Sequence, residues 1–225
     1  MILLDLNLTR PSMTRLRIAA LVCLATLLPA IGQAQAWAYP SFQPPRLVSR
    51  EYNFGIADAD GAGTSLVFQW REQSGPKTQF SFDVGIADTE GQDSDVIAFG
   101  GVGLGYRLGS ASSEVPLDFL LTGGIYLAIG PDFFFRLPFG LSLGHRFDLE
   151  GVAITPYLHP RVSLDFCDDC GGSDIGVTFD LGANFEVSRT VAIRGAVIFS
   201  GSDSFDNDGF GISVAWTPAG LARRR

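Results

Sequence analysis

Hydrophobic and polar residues alternate along the chain with a period of two. From Val152 to Phe166 one face carries Val152, Ile154, Pro156, Leu158, Pro160, Val162, Leu164 and Phe166. The other carries Ala153, Thr155, Tyr157, His159, Arg161, Ser163 and Asp165. Between Val177 and Val187 the apolar positions Val177, Phe179, Leu181, Ala183, Phe185 and Val187 alternate with Thr178, Asp180, Gly182, Asn184 and Glu186. This is the periodicity of a β-strand with two unlike faces. Strands of soluble domains usually run about five or six residues. These alternations run for ten or more, and about ten residues is what a tilted strand needs to cross a bilayer.

The pattern predicts ten strands, over residues 50–57, 64–72, 78–88, 95–108, 116–129, 132–147, 152–166, 175–187, 190–200 and 208–217. Together they make an all-β chain, an antiparallel up-and-down transmembrane β-barrel over 50–217, with eight strands as the alternative if the first two fold elsewhere. Residues 37–49, with Pro40, Pro44 and Pro45, read as an extended N-terminal lead, and 218–225 as a C-terminal tail. The connections support an even-stranded meander. Every second one is acidic or bears aspartate: Asp58 to Gly61, Asp88 to Asp95, Gly130 to Asp132, Cys167 to Asp174, and Gly201 to Asp208. The others are less acidic and hold Lys77 and Arg189. One end of the barrel is therefore acidic, and both termini are expected at the other.

Three features turn the apolar face toward lipid. Bulky residues dominate it, while Gly101, Gly103, Gly105, Gly124, Gly140, Gly144 and Gly182 collect on the polar face, as the narrow inside of a small barrel requires. The polar face also carries near-balanced charges, which form a candidate lumen network: Arg71, Asp83, Arg107, Asp118, Arg136, Arg146, His159, Arg161, Asp165, Asp180, Glu186 and Arg194. Buried charges must pair. Finally, only 18% of the chain is charged and Lys77 is the sole lysine, too little to clothe a soluble domain, whose surface is about 25–35% charged. Aromatic residues on the apolar face cluster at its two ends. Trp70, Phe80, Tyr106, Phe119, Phe147, Phe185 and Trp216 lie at one, and Phe133, Phe166, Phe199 and Phe210 at the other, as two interfacial girdles would.

The N-terminus reads as a signal peptide spanning 1–36: Arg10, Arg15 and Arg17 precede a short apolar core from Ile18 to Leu28, and Ala34-Gln35-Ala36 forms an A-x-A cleavage site. Cleavage after Ala38 also fits, and Met13 is an alternative start. The core is too short to span a bilayer. Nucleic acid is excluded as a partner, because the only basic cluster is the Arg223-Arg224-Arg225 tail.

With these features in place, the chain after the signal peptide resembles the small outer-membrane β-barrel superfamily, the opacity-protein-like group of eight- and ten-stranded barrels. The last strand carries the sharpest likeness. Gly211-Ile212-Ser213-Val214-Ala215-Trp216 is similar to the group's C-terminal assembly signal, although Gly209 stands where a polar residue is usual and the chain continues from Thr217 to Arg225. The resemblance implies an outer-membrane location, contact with outer-membrane lipid, delivery by the barrel-assembly machinery and a monomer, since a closed barrel needs no partner to remove its sheet edges.

Candidate chemistry is sparse. Cys167-Asp168-Asp169-Cys170 lies at a hairpin tip without the strand-to-helix context of a redox motif, and reads as a structural disulfide between Cys167 and Cys170. Asp58-Ala59-Asp60-Gly61 and Asp206-Asn207-Asp208-Gly209 resemble calcium turns but lack the full spacing and closing glutamate. His159 has no serine two positions away on its strand face, and no GxSxG, HExxH or P-loop motif is present. The expected function is structural or surface-interacting, without enzymatic activity or cofactor. A small-solute channel, a lipid-modifying enzyme and a soluble periplasmic ligand-binding barrel are the alternatives.

Overall fold

The computed structural model describes residues 38–60, 62–88, 96–130, 132–167, 172–201 and 207–220. The signal-peptide segment and Cys170 lie outside these residues. Ten strands form: β1 (Arg50–Ala59), β2 (Gly63–Gln73), β3 (Thr78–Asp88), β4 (Val96–Gly109), β5 (Asp118–Ile129), β6 (Phe133–Gly144), β7 (Ala153–Cys167), β8 (Gly172–Glu186), β9 (Val191–Gly201) and β10 (Gly209–Trp216). After a break at His145 and Arg146, β6 resumes as Phe147–Asp148, still paired to β7. Every strand pairs antiparallel with its sequence neighbours, and β1 pairs with β10 from Tyr52↔Trp216 to Ala59↔Gly209. The ring is thus closed, with no free edge among its strands. Because β1 is one of the two closing strands, the eight-stranded alternative is excluded.

A typical strand of 11 residues measures about 36 Å, or about 26 Å along the axis at a tilt near 45°. That matches the apolar band of an outer-membrane barrel. The faces are segregated in the predicted sense. Outward residues such as Phe54, Leu66, Leu158, Val177, Leu181 and Ile212 are exposed, whereas Asn53, Gln69, Tyr157, His159, Asp180 and Arg194 point inward and are buried. Several inward glycines are seats for aromatic rings. A side chain at Gly101 or Gly124 would collide with Tyr126, and one at Gly182 with Tyr157.

Two mouths can be distinguished. The terminal mouth holds the start of β1, the end of β10 and the connections after β2, β4, β6 and β8; the acidic mouth holds the aspartate-bearing connections. Residues 38–48 do not stay at the terminal mouth. They enter the lumen and run toward the acidic mouth. Val48 bonds Gln79 at the start of β3, and Gln43 receives a bond from Ser142 late in β6. Further in, Tyr39 bonds Asp83 in mid-β3, and Ala38 packs with Ala59, Ala62 and Ile198 at the acidic mouth. The strands begin and end at one mouth, as expected, but the lead reverses the placement of the chain preceding them.

Candidate functional site: the filled lumen

The lumen is packed in layers around the lead. At the terminal mouth Glu186 accepts from both Arg46 and Arg146, and Arg146 also pairs with Asp148 at 2.8 Å. In the next layer Glu51, 1% exposed, gathers three guanidinium groups: Arg194 at 2.7 Å, Arg71 at 3.5 Å and Arg46 at 3.6 Å. Arg194 also donates to Asn184 at 2.8 Å. Asn53, Gln69 and Asp83 continue the network: Asn53 donates to Gln69 at 2.7 Å, and Gln69 to Asp83 at 2.9 Å. Above them Asp180 accepts from Arg161 at 2.7 Å and from the Ser41 N–H at 2.9 Å. Arg136 grips Asp165 through two parallel bonds of 2.9 Å, the bidentate form that fixes geometry as well as charge.

Within the lumen the described arginines 71, 136, 161 and 194 stand among the carboxylates of Glu51, Asp83, Asp165 and Asp180, while at the terminal mouth Arg46 and Arg146 share Glu186 and Arg146 also holds Asp148. Toward the acidic mouth Tyr39 belongs to an apolar cluster with Ala57, Val67, Ile97, Phe99, Phe134 and Cys167. Tyr39 stacks on Phe99 with ring centroids 5.0 Å apart. Residual space of about 70 Å³ borders Asp83, Tyr126, His159 and Arg161. It has room for a few waters, each needing about 10–15 Å³ by this measure.

Phe42 is the tightest point of the lead. It is fully buried, and its φ of 47° lies in the left-handed region. For a bulky residue that conformation costs about 1–3 kcal/mol and persists only where the surroundings over-determine it. Here they do: Gly55 and Gly211 on the closing strands leave the hollow that the ring fills.

Of the residues singled out from sequence, Arg71, Asp83, Arg136, His159, Arg161, Asp165, Asp180 and Arg194 meet inside the barrel, with Glu186 and Arg146 at its terminal mouth. Arg107 and Asp118 require correction. Arg107 braces the β2–β3 turn by donating to the Pro76 carbonyl at 2.9 Å, and Asp118 accepts from the Ala111 N–H at 3.0 Å; both bonds are exposed. Alternation gives a residue's face but not its height, and both residues sit at strand ends. The girdle aromatics all lie on the outer face, where Trp216 stacks with Tyr52 at 5.5 Å and Trp70 meets Phe80 edge-on at 5.8 Å. Sequence reasoning missed Glu51, Arg46, Ser41, Tyr39 and Tyr126, and placed Tyr157 inside without a role. For Glu51 and Asn53 the inward alternation of β1 was the available signal.

His159 is held from both sides. Its Nδ1 lies 2.7 Å from Ser41 Oγ, and its Nε2 lies 2.8 Å from Thr122 Oγ1. Asp180 approaches the same Nδ1 at 3.8 Å. A nucleophile–base–carboxylate relay needs a carboxylate hydrogen-bonded to the ring nitrogen opposite the hydroxyl; here Ser41 takes Nδ1, opposite Thr122, and Asp180 stays beyond hydrogen-bond reach of it. Among the described residues no group of three His, Cys, Asp or Glu is placed to hold a metal ion. The two calcium-like turns do meet, through the Asp60 N–H and the Asp208 carbonyl at 2.8 Å.

No family model and no curated protein sequence matches the chain. Solved structures do resemble it. The β domain of the Bordetella autotransporter BrkA superposes with a TM-score of 0.47 at 8% identity, covering 75% of this chain and 97% of that one. The KdgM porin gives 0.40 at 10% identity over 74% and 98%. Neisserial surface protein A gives 0.32 at 14% identity over 74% and 94%. With likenesses this loose, the fold assignment rests on the strand pairing itself.

Proposed function

We propose that the chain is an integral protein of the bacterial outer membrane, a small barrel of the opacity-protein-like kind, with a structural or surface-interacting role and no enzymatic activity. One observation carries the reading: the outer face is a continuous band of exposed Phe, Leu, Ile and Val, while polar groups occupy the inside. A soluble barrel would need the opposite arrangement. In this reading Trp70, Tyr106, Phe133, Phe166, Phe210 and Trp216 sit at the membrane interfaces, and the acidic mouth faces outward. Closure of β1 on β10 leaves no edge to recruit a second copy, which supports a monomer. The likeness of β10 to an assembly signal supports the barrel-assembly machinery as a transient partner. The buried, doubly bonded state of His159 supports the absence of catalysis on lipid.

Cys167 ends β7 in the apolar layer. Its pairing with Cys170 would lock that hairpin tip, and the mature protein would then show no alkylatable thiol before reduction. Two reactive thiols would remove the disulfide from the account.

Planar-bilayer recording tests the filled lumen. The full chain is expected to insert without stepwise conductance, since charged side chains and the lead occupy the interior from mouth to mouth. Wide aqueous channels come from barrels of about sixteen strands. Regular open-channel steps would replace the proposed role with that of a small-solute channel.

A further inference from the structure

The wall of the barrel reads the main chain of the lead. Arg71 donates to the Ser41 carbonyl at 2.7 Å and to the Phe42 carbonyl at 2.8 Å. Gln69 donates to the Ser41 carbonyl at 3.2 Å, and Ser142 to the Gln43 carbonyl at 2.7 Å. In the other direction the Ser41 N–H donates to Asp180 at 2.9 Å and the Val48 N–H to Gln79 at 3.0 Å. These wall residues come from β2, β3, β6 and β8, so the lead is held from several sides without joining any ladder. Contacts to main-chain groups bind an extended peptide whatever its side chains, and pockets for particular residues then select among sequences. Two such pockets are present. Phe42 fills the hollow over Gly55 and Gly211, and Tyr39 stacks on Phe99 while its hydroxyl donates to Asp83 at 3.1 Å. The wall also needs an occupant. With the lumen empty, Arg71 and Asp180 would lose buried partners, which is costly for charged groups.

We infer that the lumen is a binding site for an extended polypeptide, and that residues 38–48 are its tethered, exchangeable occupant. The ligand class is a peptide that carries aromatic side chains at the positions of Tyr39 and Phe42 and runs with its N-terminal end toward the acidic mouth. Covalent continuity through Ser49, which is exposed, joins it to β1, and the Gln73 N–H at the end of β2 bonds the Val48 and Ser49 carbonyls. The inference goes beyond the proposed role but rests on the closed-barrel reading.

The test uses the full chain, purified in detergent, with a protease site placed at Ser49 and cut after folding. The severed lead is expected to stay with the barrel through gel filtration. An excess of fluorescent peptide with the sequence of residues 38–48 should then replace it. The same peptide carrying Tyr39→Ala and Phe42→Ala should compete about tenfold less well or worse, as expected when buried aromatic anchors are removed. Loss of the severed lead without rebinding, or retention with no exchange, overturns the inference. So does collapse of the barrel on cutting, because the lead would then be part of the fold rather than a ligand. Uncut protein that shows no heat-dependent gel mobility would instead mean that the closed-barrel reading itself fails.

Discussion

Replacing Glu51 with leucine is expected to destabilise the barrel by about 3–5 kcal/mol, the cost of breaking a buried ion pair by removing one partner. Glu51 is the shared counter-charge of Arg194, Arg71 and Arg46, and Arg194 is itself fully buried. Without the carboxylate, three guanidinium groups remain close together with less negative charge among them. The effect should propagate to the lead, because Arg71 also holds the Ser41 and Phe42 carbonyls. The control is Glu72→Leu. Glu72 pairs with Arg50 at 2.7 Å, but both side chains are partly exposed, at 30% and 40%, and solvent-screened pairs contribute little to stability. Urea unfolding of both variants in lipid vesicles provides the comparison. Equal stability of the two would show that the central cluster does not hold the lumen together.

The second large effect is expected outside the barrel. Leu181 lies near the middle of β8, points outward and is 48% exposed. Leu181→Arg should cost about 2–4 kcal/mol in a bilayer, the penalty of a lipid-facing arginine at the midplane. Val187, just beyond the end of β8 at the terminal mouth, is equally exposed at 47%. An arginine there should cost about 0–1 kcal/mol, because charge near the interface reaches water and headgroups. The depth dependence separates lipid from water as the solvent of this face. In water the two substitutions would have the same small effect, and such a result would remove the membrane from the account.

The strands were legible because each carries its signal on both faces at once. Bulky residues are needed where lipid lies and polar or small ones where the lumen narrows, so a one-residue slip would invert every position. The third predicted strand, 78–88, coincides with Thr78–Asp88. The sixth, 132–147, bridges the break at His145 and Arg146, which alternation alone does not reveal, and reaches Phe147, where the pairing resumes. The network was half legible. His159, Arg161 and Asp180 could be placed inside by alternation, but which of them meet depends on register between strands. Arg107 shows the limit: it lies where the β4–β5 register shifts, between Arg107 and Gly109, and it serves a turn instead of the lumen.

The lead was not legible as a lumen occupant. Pro40, Pro44 and Pro45 break any periodicity, and its contacts reach residues far along the chain, as from Ser41 to Asp180 and from Gln43 to Ser142. Two traces of it were nonetheless present. Gly55 and Gly211 leave an inward hollow that no strand residue fills, and Phe42 is an apolar residue among prolines with no strand to belong to. Read together they call for an aromatic ring delivered from outside the sheet.

A closed barrel in the outer membrane should reveal itself in the gel mobility of the membrane fraction. Cells expressing the full chain would be fractionated, and the outer membranes run in detergent with and without boiling. The expected result is a membrane-bound band that migrates as a compact species unheated and shifts to its unfolded mobility after boiling. A band in the soluble fraction whose mobility boiling leaves unchanged would contradict it.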